Sequence, residues 1–279
     1  MLVMFILKII NLNRRNKMKV IKFQIIVLLL SFTFPLFLVA QTKPSGLEII
    51  QNVYDRPEGN NMQSELTMTL INSRREQRVR EIKQFSKEFN KVEKKIMFFM
   101  APADVRNTSF MNWSYDEKGR DDDQWIYLPA LKKTKRISSD SKSDNFMGSD
   151  FTYDDLGDRH PTDDTHKILR EEKFNDQDCY VVESLPKDEE YMYSKTISWI
   201  IKDKWIGLKK EFYDEDEEFL KTLTVKKYEK INGFWIITES EMKNHQKNHT
   251  TNMKLQNITI DGGIADNKFT ERMMKRGLK

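Results

Sequence analysis

The sequence has one cysteine, Cys179, among 279 residues. That excludes an internal disulfide and any metal site built from several thiolates, and no cysteine follows Ala40 to carry a lipid anchor. Glycine is scarce too, with ten in the chain, and no glycine-rich loop of the kind that cradles phosphate is present. Ser149 stands in Met147-Gly-Ser-Asp150, which is not the Gly-x-Ser-x-Gly elbow that projects a nucleophile. There are four histidines. His245 and His249 have the i,i+4 spacing of a helical zinc pair, but Met242 to Thr251 reads as strand and turn, where that spacing does not bring two rings together. Cys179 lies beside Asp176 and Asp178, neighbours that raise a thiol pKa, so it reads as a strand-edge residue and not a nucleophile. Asp121-Asp-Asp123 and Asp154-Asp155 are consecutive carboxylates on turns or strands, expected to point apart into solvent rather than grip a cation. No cofactor, metal or catalytic residue is expected, and an enzyme acting on lipid or envelope polymer through Asp150, Asp154 or His160 is the poorer alternative.

A long uninterrupted apolar run is also missing. Phe23 to Val39 is broken by Gln24, Ser31, Thr33 and Pro35, and falls short of the ~20 residues that cross a bilayer. Lys19 and Lys22 precede the run and the small residue Ala40 ends it, the three parts of a secretory signal. Residues 1–40 are therefore expected to be a signal peptide cleaved near Ala40-Gln41, with Met18 as the true start and Met1 to Lys17 as an extension. This leader holds six of the 47 Lys+Arg and none of the 43 Asp+Glu, so the net charge of +4 becomes −2 without it. The basic excess that would suggest nucleic acid belongs to the leader. Residues 41–279 then form one exported domain without a membrane anchor, expected in the periplasm and as a monomer.

What is present is β-structure. Ser45-Gly-Leu-Glu48 places a cap residue three positions before a glutamate, and Leu47, Ile50, Val53 and Tyr54 follow at helical spacing. After Pro57 and Gly59 the period becomes two: Leu66, Met68 and Leu70 alternate with threonines, and Val79, Ile82 and Phe85 sit in a charged strand after the Asn72-Ser73 turn. Further strands are predicted at 96–100, 110–115, 124–128, 166–171, 180–185, 196–201, 208–213, 219–228, 234–242 and 253–260, with turn chemistry at Ile231-Asn-Gly233 and Asp261-Gly-Gly263. Phe269 to Gly277 reads as a short closing helix. The fold class is mainly β, a single antiparallel sheet curled on itself.

The densest stretch runs from Pro102 to Leu156, where aromatic, acidic and small residues crowd together. Met68, Phe98, Phe110, Trp113, Trp125, Tyr127, Phe146, Met147 and Phe151 are candidates for the lining of a cavity that holds an acyl chain or another apolar guest. The competing reading is that they fill the core of the sheet. Phe146-Met-Gly148 is the candidate lid.

This stretch resembles the bacterial outer-membrane lipoprotein-sorting proteins of the LolA-like superfamily, in a branch often found beside exporters of the RND class. The shared words are Pro102-Ala-Asp-Val-Arg-Asn-Thr108, Gln124-Trp-Ile-Tyr-Leu-Pro129, Lys135-Arg-Ile-Ser138 and Phe146-Met-Gly-Ser-Asp-Phe-Thr-Tyr-Asp-Asp-Leu156, with Asn107 standing where glycine is expected. The similarity runs from Gly46 to Gly277. It implies a strongly curved antiparallel sheet forming a half-open β-barrel, its concave side plugged by short helices. It further implies a periplasmic carrier whose partners are lipoprotein acyl chains or lipid, with an RND-type or other inner-membrane exporter as a possible second partner. The alternative is an adaptor or sensor that docks on such an exporter without moving cargo.

Overall fold

A computed structural model describes residues 43–278; the expected signal peptide lies outside them. The residues from Pro44 onward form one unit dominated by an antiparallel sheet. Its first arm comprises β1 (Asn61–Ile71), β2 (Gln77–Phe89), β3 (Val92–Ala101), β4 (Ser109–Tyr115), β5 (Asp123–Leu128) and β6 (Lys133–Arg136). The second comprises β7 (Asp164–Phe174), β8 (Gln177–Pro186), β9 (Lys195–Ile201), β10 (Gly207–Tyr213), β11 (Phe219–Ile231), β12 (Phe234–Asn244) and β13 (His249–Ile260). The spatial order is β6-β5-β4-β3-β2-β1-β13-β12-β11-β10-β9-β8-β7. The chain meanders outward to β6, passes in one long connection to the opposite edge at β7, and meanders back until β13 pairs with β1.

The hairpins follow their turn residues. Asn175-Asp176 and Asn232-Gly233 both hold two successive left-handed φ values, as a tight hairpin matched to strand twist requires. Asn107 also sits at φ 67. The turn that glycine would favour therefore forms with asparagine, which tolerates this region better than other non-glycine residues.

Among the described residues, two short α-helices flank the sheet. In α1 (Gly46–Tyr54), the Glu48 N–H donates to the Ser45 hydroxyl at 3.2 Å while the Glu48 carboxylate accepts from the Ser45 N–H at 2.7 Å, a complete capping box. Ile49 is buried against Val182 and Ile200. Gly46 brings the helix onto β7 so closely that a Cβ would stand 2.7 Å from the His166 carbonyl oxygen. The second, α2 (Glu271–Arg276), is capped by Thr270 and stopped by Gly277 at φ 68. Its Met273 and Met274 cover Ile96, Phe98 and Met111 on the convex face of β3 and β4.

The concave face carries the other large cluster. Leu66, Met68, Leu70, Ile82, Phe99 and Phe110 meet Phe146 from the long connection. Cys179 lies inside β8, flanked by β7 and β9 and wholly buried with Val181 and Trp199, so its expected place at a strand edge is corrected. Val79 is exposed while Ile82 is buried. They are three residues apart, so the pleat alone turns them to opposite faces, and Phe85, three further on, packs with Ile96 and Phe98 rather than with Ile82.

Candidate functional site

A cavity of about 760 Å³ opens on the concave side between the two arms of the sheet, within the ~300–1,000 Å³ typical of small-molecule sites. Ile50, Val53 and Tyr54 of α1 contribute to one wall. Glu88, Glu93, Lys95 and Ser114 line it from the first arm, Thr196, Ser198, Ile200, Lys210, Phe212, Leu223 and Met242 from the second. The connection between the arms adds Phe151, Asp154, Asp155, Asp158 and Arg159. Apolar and ionisable side chains thus share one chamber.

The nine residues selected from the sequence separate when folded. Met68, Phe110, Phe146 and Met147 meet in the concave-face core. Phe98, Trp113, Trp125 and Tyr127 belong to the convex cluster under α2. Phe151 packs with Tyr193, Phe212 and Met242, and of the nine it alone lines the cavity. Strand periodicity explains the division: Phe98 and Phe99 point to opposite faces, and a set chosen for aromatic density does not distinguish parity. Phe146 is 1% exposed, against Phe110 at a ring separation of 5.1 Å and Phe99 at 6.0 Å. It plugs the concave face where a lid over the opening was expected.

The plug segment is fastened by buried polar groups. The Lys221 ammonium donates to Asp155 Oδ2 at 2.5 Å and to the Asp150 carbonyl at 3.0 Å, with side-chain exposures of 2% for Lys221 and 7% for Asp155. Asp155 also accepts from the Thr152 N–H at 2.7 Å and the Tyr193 hydroxyl at 3.0 Å. The buried Asp150 carboxylate accepts from the Thr251 hydroxyl and meets His249 Nδ1, each at 2.7 Å. Asp154 takes the Tyr191 hydroxyl at 2.5 Å, and burial lifts its carboxyl above the usual range. Asp122 lies between Asn112 and Ser114, its carboxyl likewise raised by burial. The expectation that these paired aspartates are solvated is therefore corrected for Asp122, Asp154 and Asp155; they bond inward to tyrosine, lysine and amide partners.

On the opposite wall Lys95 bridges Glu93 at 2.9 Å and Asp158 at 3.4 Å. Burial opposes the Lys95 charge, but the two carboxylates hold its ammonium well above its ordinary pKa. Burial pushes Glu93 up, while for Asp158 the attraction of Lys95 overcomes burial and leaves the carboxyl low. Asp150, Asp154 and His160 bond to different partners, His160 Nδ1 facing Thr162 Oγ1 at 2.8 Å. Burial raises the Cys179 thiol pKa. Among the described residues no three His, Cys, Asp or Glu side chains converge as a metal set, and no helix is long and apolar enough to cross a membrane.

The charged lining was missed in the sequence because each residue reads as ordinary strand polarity. The available signal was the period of two: Lys210 shares parity with Phe212, as Lys95 does with Met97.

Comparison with known proteins agrees with this architecture. A family model described as "Uncharacterized protein" matches residues 91–276. A domain named for outer membrane lipoprotein sorting, from Vibrio parahaemolyticus, is 37% identical with a TM-score of 0.78, covering 83% of this chain and 98% of its own. A DUF1329 family protein from Desulfovibrio piger is 30% identical, again at TM-score 0.78, over 84% of this chain and 100% of its own. A LolA superfamily protein from Nitrosomonas europaea shares the fold at 20% identity and TM-score 0.65, over 83% and 100% of the two chains. No curated protein sequence matches the chain.

Proposed function

The chain belongs to the DUF1329 family and shares its fold with a LolA superfamily protein, and from this we propose that it is a carrier of the bacterial envelope, binding an acyl-chain amphiphile and moving it between membranes through the periplasm. The observation that carries this reading is the cavity of about 760 Å³, with an apolar strip formed by Ile50, Val53, Ile200, Phe212, Leu223 and Met242 beside a charged wall. Burying a methylene is worth ~0.8 kcal/mol, so a sixteen-carbon chain gives on the order of 10 kcal/mol before ordering costs. That is enough to draw a lipid tail from water, and the ionisable wall suits the polar head that the tail carries. The reading contains no chemical step.

The name of the Vibrio relative supports lipoprotein or lipid as cargo. Residues 1–40 serve as the cleaved export signal in this proposal, and an RND-type or other inner-membrane exporter is the partner that exchanges cargo. Native mass spectrometry of protein purified from its periplasm is expected to show a bound amphiphile, and vesicle assays its transfer from donor to acceptor membranes. A chain that is always empty and transfers nothing, yet docks on an exporter, would replace the carrier by an adaptor.

A further inference from the structure

We infer that Lys210 is the anion anchor of the cavity, holding the carboxylate or phosphate head of a single-chain amphiphile whose tail lies on Ile50, Val53, Ile200, Phe212 and Leu223. The inference rests on the carrier reading and gives it a substrate class.

Lys210 lies in β10, opposite Ser198 of β9 and Leu223 of β11, and all three line the cavity. Its ammonium makes no hydrogen bond and no ion pair among the described residues; the Phe212 ring lies 5.1 Å away. The carboxylates whose fields reach it are already engaged. Asp155 is held by Lys221 at 2.5 Å, Asp164 by Arg159 at 2.6 Å, and Asp154 by the Tyr191 hydroxyl at 2.5 Å.

Burial pushes the Lys210 pKa down, against the pull of Asp155 and Asp164. A half-buried ammonium without a counter-ion gives up part of its hydration uncompensated, and an anion entering from the cavity would restore a partner. Lys95 is paired with Glu93, Arg56 with Glu58 and Lys209 with Glu211, while Lys91, also in the lining, is exposed to solvent. Lys195 lies over the Tyr213 ring at 4.7 Å, on the strand position facing away from Thr196 and Phe212. Lys210 is therefore the charge placed next to the apolar strip and left for a guest.

The test uses lipid-stripped wild-type protein with Lys210→Met, Lys210→Gln and Lys210→Arg, titrated by displacement of a neutral fluorescent chain. The competitors are palmitate, a palmitoyl lysophosphatidic acid and, as the uncharged control, the corresponding monoacylglycerol. Wild type should bind at least one anion at least about tenfold more tightly than Met and Gln variants do, with Arg retaining binding and the monoacylglycerol unchanged within about twofold. The tighter anion identifies the source as fatty acid or phospholipid. Equal binding of anions by wild type and both neutral variants, with the monoacylglycerol also bound, overturns the anchor and leaves the carrier standing. Failure of wild type to bind any of the three chains overturns the carrier and the anchor together.

Discussion

Replacing Lys221 by methionine keeps the length of the side chain and removes the ammonium that joins β11 to the plug segment. Asp155 would then keep a buried negative charge with two donors, the Thr152 N–H at 2.7 Å and the Tyr193 hydroxyl at 3.0 Å, and the Asp150 carbonyl would lose its donor from Lys221. Removing one member of a buried ion pair typically costs about 3–5 kcal/mol. The two remaining donors each support a charged acceptor, which places Lys221→Met near the lower end, at about 3 kcal/mol. For a domain of this size that corresponds to a fall in Tm of about 6–12 °C. Equilibrium urea unfolding followed by tryptophan fluorescence measures the loss directly. Asp155→Asn in the Lys221→Met background should recover part of it, because the uncompensated charge is then gone. A single-variant loss below about 1 kcal/mol, or no recovery in the double variant, would refute the role given to this pair.

Other expectations follow from local geometry. Gly46→Ala places a methyl 2.7 Å from the His166 carbonyl; displacing α1 should cost about 1–3 kcal/mol in thermal or urea unfolding. Asn107 at φ 67 predicts that Asn107→Gly is tolerated while Asn107→Ala costs about 1 kcal/mol by the same assay. Burial raises the Asp154 carboxyl pKa despite the Tyr191 hydroxyl, so the folded state holds this proton more tightly than the unfolded chain. Ionisation then disfavours folding: the penalty is absent below the unfolded carboxylate pKa and grows as pH rises through the folded one. Asp154→Asn, which keeps an oxygen acceptor for Tyr191, should be more stable than the parent at neutral pH and no more stable near about pH 3, in melts across that range.

Much of the scaffold was legible because local signals and tertiary demands coincide. The capping box at Ser45 and Glu48 forms as read, and Asn232-Gly233 turns its hairpin. Strand β6 was not seen. Its sequence, Lys133-Thr-Lys-Arg136, has no apolar alternation, since an edge strand half out of contact needs none. The cavity was harder still. Its lining is drawn from α1, both arms and the connection, and the parity of Lys210 becomes meaningful only once β10 has a curved sheet to face. Aromatic density around Trp113 and Trp125 pointed instead to the convex cluster, where those two rings meet at 5.1 Å.

The seam between β1 and β13 sets the order in which this molecule can assemble. Met62 pairs with Ile260 and Leu70 with Thr251, so the middle of the sheet joins residues almost two hundred positions apart, whereas hairpins join neighbouring strands within each arm. Hairpins close over short loops and form early; a junction between the first and last strands must wait for the whole chain and pays the largest loop-closure entropy. A nascent chain that still lacks β13 therefore presents β1 as an open edge at what will become the centre of the sheet. Synthesis of the last thirty or so residues closes the sheet, so a chain truncated there loses its central junction rather than a margin.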